Sequence, residues 1–244
     1  MVGEEFKRQI SKTSNGNDSK LIHALDLMEG DIERKNLEEK YIEVAKSVAG
    51  SVAAIKAGYP LVLKNGLNII TRIKEEAGVP VIADFKIADV PHICNQIASC
   101  AFGAGADAAI AQGFVGKDSL EGVVEAAEAN GGKGVIVVPN MSHDGGKMFI
   151  QKFTDQMIDM AEEAGATGVI GPATRPEDVK SMRSKIGDEM LLLTPGIGAQ
   201  GGRPGDAIRS GADYEIVGRA IYTAESPRES AEKIRKQINE VAEE

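Results

Sequence analysis

Eight alternations of a short apolar run, a loop and a helical period, spread over 244 residues, predict an α/β fold built as a single (β/α)8 (TIM) barrel. The apolar runs are nearly continuous, as in parallel strands covered on both faces. The length matches the roughly 250 residues that one such barrel takes. A doubly wound open sheet is the alternative reading of the same alternation.

The pairs follow in order. LIHALDL (21–27) precedes the helical NLEEKYIEVAKSVAG (36–50), and AAIKAGY (53–59) precedes NGLNIITRIKEEAG (65–78). PVIADFKI (80–87) leads into VPHICNQIASCAFGAG (90–105), and DAAIAQG (107–113) into DSLEGVVEAAEANGG (118–132). GVIVVPN (134–140) precedes KMFIQKFTDQMIDMAEEAG (147–165), and TGVIGPA (167–173) precedes RPEDVKSMRSKIG (175–187). LLLTPGIG (191–198) is followed by PGDAIRSGA (204–212), and YEIVGRA (214–220) by SPRESAEKIRKQINEVAEE (226–244). Gly50, Gly78, Gly105, Gly165 and Gly187 stand where helices stop. Asp118 reads as an N-cap, and Pro176 and Pro227 suit a first helical turn. No linker interrupts residues 21–244, the barrel domain. Residues 1–20 read as a polar, frayed N-terminal extension with a short helix at EEFKRQI.

Aromatic residues make up 4 % of the chain and Trp is absent, so the core must be aliphatic. The net charge of −9 and the lack of a basic run argue against nucleic acid as a partner. No apolar stretch approaches the roughly 20 residues of a membrane span. The polar N-terminus lacks the hydrophobic region of a signal peptide, so the expected location is cytoplasmic. Cys94 and Cys100, six apart on one helix, are too distant for a disulfide and read as small packing residues. With three His in the chain, no metal site is expected. His23 and His92 read as structural.

Charge gathers where the first three strands end. In VIADFKIADVP (81–91), Asp84 and Lys86 are two apart and share a strand face. They stand at the C-terminal end, where barrel enzymes carry their chemistry. Asp89 lies just beyond, before Pro91. An ion pair with Asp89 as N-cap would explain these three alone. Lys56, near the end of the second strand, and Asp26, near the end of the first, extend the charge to three neighbouring strand ends. Buried charge adds little stability even when paired, so a catalytic network is the sharper reading. Acidic neighbours keep a lysine protonated in a partly dry site, and a fixed ammonium can donate a proton to carbon.

A second cluster closes the chain. LLLTPGIGAQGGRPG (191–205) offers glycine N–H groups to an anion. IVGRAI places Gly218 and Arg219 after the last strand, where barrels commonly bind phosphate, and Arg suits bidentate phosphate contact. In PNMSHDGGKMF (139–149), Ser142 adjoins His143 without a supporting triad, so Ser142 reads as a hydrogen-bonding group toward a polar ring.

DFKIADVP carries the D-x-K-x-x-D signature, and here the chain resembles the orotidine 5′-monophosphate decarboxylase family. The resemblance extends through ALDLM (24–28), IKAGYPLVL (55–63), MSHDGGKMF (141–149), GPATRPE (171–177), PGIGAQGG (195–202) and IVGRAIY (216–222), from about residue 21 to the C-terminus. The signature alone is shared with hexulose-phosphate synthase relatives; the MSH and AQGG loops point to the nucleotide enzymes. The resemblance implies decarboxylation of orotidine 5′-monophosphate to UMP without metal or cofactor. It implies Lys86 as the proton donor to C6, Asp84 against the departing carboxylate, and Lys56 and Asp26 at the ribose. Ser142 would meet the pyrimidine edge. Gln200, Arg219 and Gly218, with Pro195 and Gly201 of the same loops, would hold the rest of the nucleotide and its phosphate. Asp89 would reach the partner's site in a homodimer. Relatives often carry Thr four residues after the second Asp; Ile93 stands there, so one cross-subunit hydrogen bond is not expected. A magnesium-dependent sugar-phosphate enzyme and a non-catalytic nucleotide sensor are the competing readings.

Overall fold

The computed structural model describes residues 2–26, 34–198 and 201–242. Eight parallel strands close on themselves in sequence order, β1 pairing with both β2 and β8. They are β1 (Leu21–Leu25), β2 (Ala54–Gly58), β3 (Val81–Ile87), β4 (Ala108–Gln112), β5 (Gly134–Val138), β6 (Gly168–Ile170), β7 (Leu191–Pro195) and β8 (Tyr214–Val217). The predicted barrel is the observed one. Around it run α2 (Arg34–Val48), α3 (Tyr59–Asn65), α4 (Asn68–Ala77), α5 (Pro91–Gly103), α6 (Lys117–Ala129), α7 (Thr154–Glu163), α8 (Pro176–Ile186), α9 (Asp206–Arg209), α10 (Arg219–Tyr222) and α11 (Pro227–Ala242), preceded in sequence by α1 (Glu4–Asn17). No helix among the described residues is long and apolar enough to cross a membrane.

Alternation along each strand divides the core in two. Ile22, Ala54, Ile82, Ala108, Ile136 and Leu193 fill the barrel interior. Leu21, Leu25, Ile55, Val81, Val135 and Leu192 face outward into the larger layer under the helices. The first interior positions of β2, β4 and β5 are small (Ala54, Ala108, Gly134), which leaves a hole on that side of the N-terminal end, and α1 fills it. Phe6 and Ile10, one helical turn apart, are buried with the interior cluster. A Cβ at Gly134 would come within 2.7 Å of the Phe6 ring. The helix is tied down by Asn17 Nδ2 donating to the carbonyls of Ala49 and Val52, both at 2.8 Å. Its start is held by Gly3 N–H on the Gly132 carbonyl at 3.0 Å.

The first residues are therefore not a frayed extension. Two apolar side chains on an otherwise polar helix give a weak pattern, and the hole they fill is set by residues far along the chain. Smaller differences have local causes. The helix expected over 65–78 begins at Asn68, and an unanticipated short helix, α3, precedes it and stops at Gly66 (φ 81°). Two 3-10 turns precede α7, which starts only at Thr154. Gly116, not Asp118, caps α6. Gly50 lies within a 3-10 turn. Cys94 is buried as expected, but Cys100 is exposed.

Candidate active site

The C-terminal ends of the first three strands bring four charged side chains into one row. Ala24 pairs with Lys56 and Gly58 with Asp84, and Asp26 directly follows β1. Lys56 Nζ lies 2.6 Å from Asp84 Oδ2 and 3.2 Å from Asp26 Oδ1. Lys86 Nζ lies 2.7 Å from Asp84 Oδ1 and 2.9 Å from Oδ2. The order is Asp26–Lys56–Asp84–Lys86, with signs alternating. Gly58 makes the packing possible, because a Cβ there would collide with Asp26 Oδ1.

The backbone at Lys86 is unusual. Its φ of 41° lies in the left-handed region, which a residue with a Cβ enters at about 1–2 kcal/mol. The β3–β4 pairing shifts register between Ala83 and Ile87. Strand alternation put Asp84 and Lys86 on one face; the turned backbone adds the closure of the ammonium onto both carboxylate oxygens.

Electrostatics hold the row charged. Burial alone would push the Asp84 carboxyl up, but the ammonium groups of Lys56 and Lys86 outweigh it and hold it below its ordinary range. Burial would likewise pull Lys56 down, and Asp84 and Asp26 outweigh it, so Lys56 lies above the ordinary lysine value. Lys56 and Asp84 are each 6 % exposed, whereas the Lys86 side chain keeps 40 % of its surface. Lys86 and, at 36 %, Asp26 are thus the members of the row most open to a ligand. Among the described residues, no group of three or more His, Cys, Asp and Glu side chains gathers as a metal site.

The row floors one side of a cavity of about 420 Å³, in the range of small-ligand sites. Its apolar wall includes Ile110, Val138, Ile170 and Ile216. Ser142, Pro195, Gly218 and Arg219 line it. Arg219 is exposed at the first position of α10, so its guanidinium is open to an anion. Gly196 (φ 122°) and Ile197 border the same end.

Other expected residues are placed elsewhere. Asp89 is exposed, does not line its own chain's cavity, and its Oδ1 accepts from Val90 N–H at 2.7 Å. It does not cap α5, whose N-cap is Val90. Gly201 (φ 94°) is exposed, and its N–H donates to the Gly198 carbonyl at 2.9 Å. Gln200 lies outside the described residues. His23 is fully buried beside β8; burial pushes its imidazole down to about 4, and Nδ1 lies 3.1 Å from the Val217 carbonyl.

Sequence reasoning missed the support under Ser142. Arg175 donates to Asn140 Oδ1 (2.7 Å) and to the carbonyls of Met141 (2.9 Å) and Ser142 (3.4 Å). Asp178 Oδ2 fixes Arg175 Nε at 2.7 Å, so the loop after β5 is clamped to the start of α8. Asn140, His143 and Tyr222 also line the cavity. The segments GPATRPE and IVGRAIY contained Arg175 and Tyr222, but nothing in their spacing showed what they touch.

Comparison with known proteins decides the kinship. The model of the orotidine 5′-phosphate decarboxylase / HUMPS family matches residues 19–234. The chain belongs to this family. Among its relatives, orotidine 5′-phosphate decarboxylase of Thermococcus kodakarensis is 48 % identical over 92 % of this chain and 99 % of its own length. That of Methanosarcina mazei is 49 % identical over 89 % and 94 %. Solved decarboxylase structures superpose along the whole barrel. That from Pyrococcus horikoshii has a TM-score of 0.79 at 45 % identity, covering 90 % of this chain and 99 % of its own. That from Methanocaldococcus jannaschii, complexed with the inhibitor BMP, has a TM-score of 0.82 at 38 % identity, covering 91 % and 99 %.

Proposed function

We propose that the chain decarboxylates orotidine 5′-monophosphate to UMP, the last step of de novo pyrimidine nucleotide synthesis, in the cytoplasm and without metal or cofactor. One observation carries the reading: an alternating Asp–Lys–Asp–Lys row and an open arginine border the same cavity, so a substrate with a reacting carboxylate and a distant phosphate fits. The family kinship supports the same assignment.

The phosphate binds Arg219 and the glycine N–H groups after β7 and β8. The ribose meets Asp26 and Lys56, and Ser142, held by Arg175, meets the pyrimidine edge. The substrate carboxylate then lies beside Asp84. As the bond from C6 to the carboxylate breaks, the electron pair stays at C6 and carbon dioxide leaves. Lys86 stabilises that charge and transfers an ammonium proton to C6, then regains one from solvent. A donor already fixed on Asp84 needs no reorganisation during the reaction, which is where preorganised electrostatics gain most. Phosphate binding, remote from the reacting carbon, supplies orientation.

Both Asp84 oxygens are occupied by lysines at 2.6–2.9 Å, which favours this reading over a magnesium site on that carboxylate. Asp89, exposed and pointing away from its own cavity, fits a role in the site of a second subunit of a homodimer.

The test is absorbance loss on adding orotidine 5′-monophosphate in EDTA. Full turnover is expected, with Lys86→Ala inactive yet still binding UMP. Activity that needs magnesium, or a Lys86→Ala variant with normal turnover, overturns the proposal. Mixed Lys86→Ala and Asp89→Asn chains should recover part of the activity by subunit exchange; no recovery removes Asp89 from the shared site.

A further inference from the structure

Glu215 is a buried acid that the chemistry above does not use. It lies on the outward face of β8, fully buried, between the strand and α9. Its own N–H donates to the Lys20 carbonyl at 3.0 Å, so its backbone is locked into the barrel. Its carboxylate reaches the other way. Oε2 accepts from Gly205 N–H at 2.8 Å and Oε1 from Ala207 N–H at 3.0 Å. Gly205 is the N-cap of α9, with φ 92°.

The location matters more than the contact. Gly205 ends the glycine-rich segment that leaves β7. That segment folds on itself through Gly198 N–H on Gly202 O (2.9 Å) and Gly202 N–H on Gly196 O (3.1 Å). Glu215 precedes Gly218 and Arg219 by three and four positions. One side chain therefore joins the two backbone segments that flank the phosphate end of the cavity. A buried carboxylate adds little net stability compared with an apolar residue, so packing does not account for an acid here.

We infer that Glu215 is a positioning residue for phosphate recognition: its carboxylate fixes the Gly202–Gly205 segment against the strand that presents Gly218 and Arg219. The inference rests on the decarboxylase reading for the identity of the anion. Losing the tie leaves the row at Lys86 intact and weakens only the grip on phosphate.

The experiment compares wild type with Glu215→Gln and Glu215→Leu, each first checked for a cooperative melt. At pH 8, where the Glu215 carboxyl is ionised, decarboxylation is measured with orotidine 5′-monophosphate and with orotidine, which lacks the phosphate, and UMP affinity is measured by calorimetry. The expected result is a KM for the nucleotide and a Kd for UMP each raised about tenfold, the equivalent of one charge-assisted hydrogen bond. kcat should stay within about twofold, as expected when binding common to ground and transition states is lost, and the rate on orotidine should not change. Equal losses on both substrates, or an unchanged KM, overturn the inference; should the Leu variant not fold, the Gln variant decides. A wild-type chain that turns over neither substrate overturns the substrate assignment instead. In that case the Kd for UMP and for inorganic phosphate judges Glu215, and equal values in variant and wild type overturn its role.

Discussion

Replacing Asp84 by Asn keeps the shape of the side chain and removes the charge at the centre of the row. Asp84 is 6 % exposed and accepts from Lys56 at 2.6 Å and from Lys86 at 2.7 Å. The variant keeps one neutral amide oxygen for the two ammonium groups and turns an NH2 donor toward them, so the 3.2 Å contact with Asp26 is the only carboxylate left to Lys56 and Lys86 has none. Removing one partner of a buried ion pair costs about 3–5 kcal/mol. For a domain of this size that lowers Tm by about 10 °C. The pH dependence has a definite sign. Against burial, the Lys56 and Lys86 ammonium groups hold the Asp84 carboxyl below the ordinary aspartate range, so its contribution is present above that range and fades as pH falls through the lower folded value. The gap between wild type and Asp84→Asn should be full at pH 7 and narrow in strong acid. Calorimetric melts at pH 7 and in acid measure it. A cycle with Lys56→Met should give a coupling of about 2 kcal/mol. Turnover should fall at least about 100-fold, since preorganised electrostatics are lost. An Asp84→Asn chain that melts at or above the wild-type temperature at pH 7, or a coupling near zero, refutes the idea that the four charges sustain one another.

Gly58→Ala should displace the Asp26 carboxylate, because the new Cβ would collide with it; nucleotide KM is expected to rise several-fold with the fold retained, and an unchanged KM would show that Asp26 does not touch the ligand. Phe6→Ala should destabilise by about 3–5 kcal/mol through the cavity it leaves, read by denaturant unfolding, while kcat stays at the wild-type value because the plug lies at the opposite end from Lys86. Burial pushes the Glu215 carboxyl from 4.5 up to about 7, against the opposing N–H groups of Gly205, Ala207 and Ile208 and with Asp206 adding to the rise. Its contribution to stability is therefore complete below about pH 4.5 and lost as pH rises through about 7, so wild type should lose up to about 3 kcal/mol relative to Glu215→Gln between pH 5 and 8. A difference that is constant across that range would contradict the shift.

The barrel and the charged row were legible because their signals are local. A strand that ends in charge is visible as letters, and Asp26, Lys56, Asp84 and Lys86 all stand within the cavity that the strand order predicts. What the sequence could not show depends on contacts between distant segments. The hole that Phe6 fills exists because Ala54, Ala108 and Gly134 meet at one end. Arg175 supports Ser142 only once α8 lies beside the loop after β5. The left-handed turn at Lys86 has no glycine to mark it. Asp89 reads as part of the same motif as Lys86, yet its side chain leaves the cavity at the turn before α5. Glycines at helix ends were a fair guide at Gly78, Gly105, Gly165 and Gly187, and misled at Gly50, where a 3-10 turn continues the helix.

The left-handed backbone of Lys86 sets chemistry against endurance at one position. Glycine occupies that conformation freely, so Lys86→Gly would relieve about 1–2 kcal/mol of backbone strain, but it would strip the buried Asp84 of a cation that touches both of its oxygens and leave a barrel without a proton to give. Improvement in robustness has to be sought at the far mouth, around Phe6 and Ile10, where nothing that reacts is in reach.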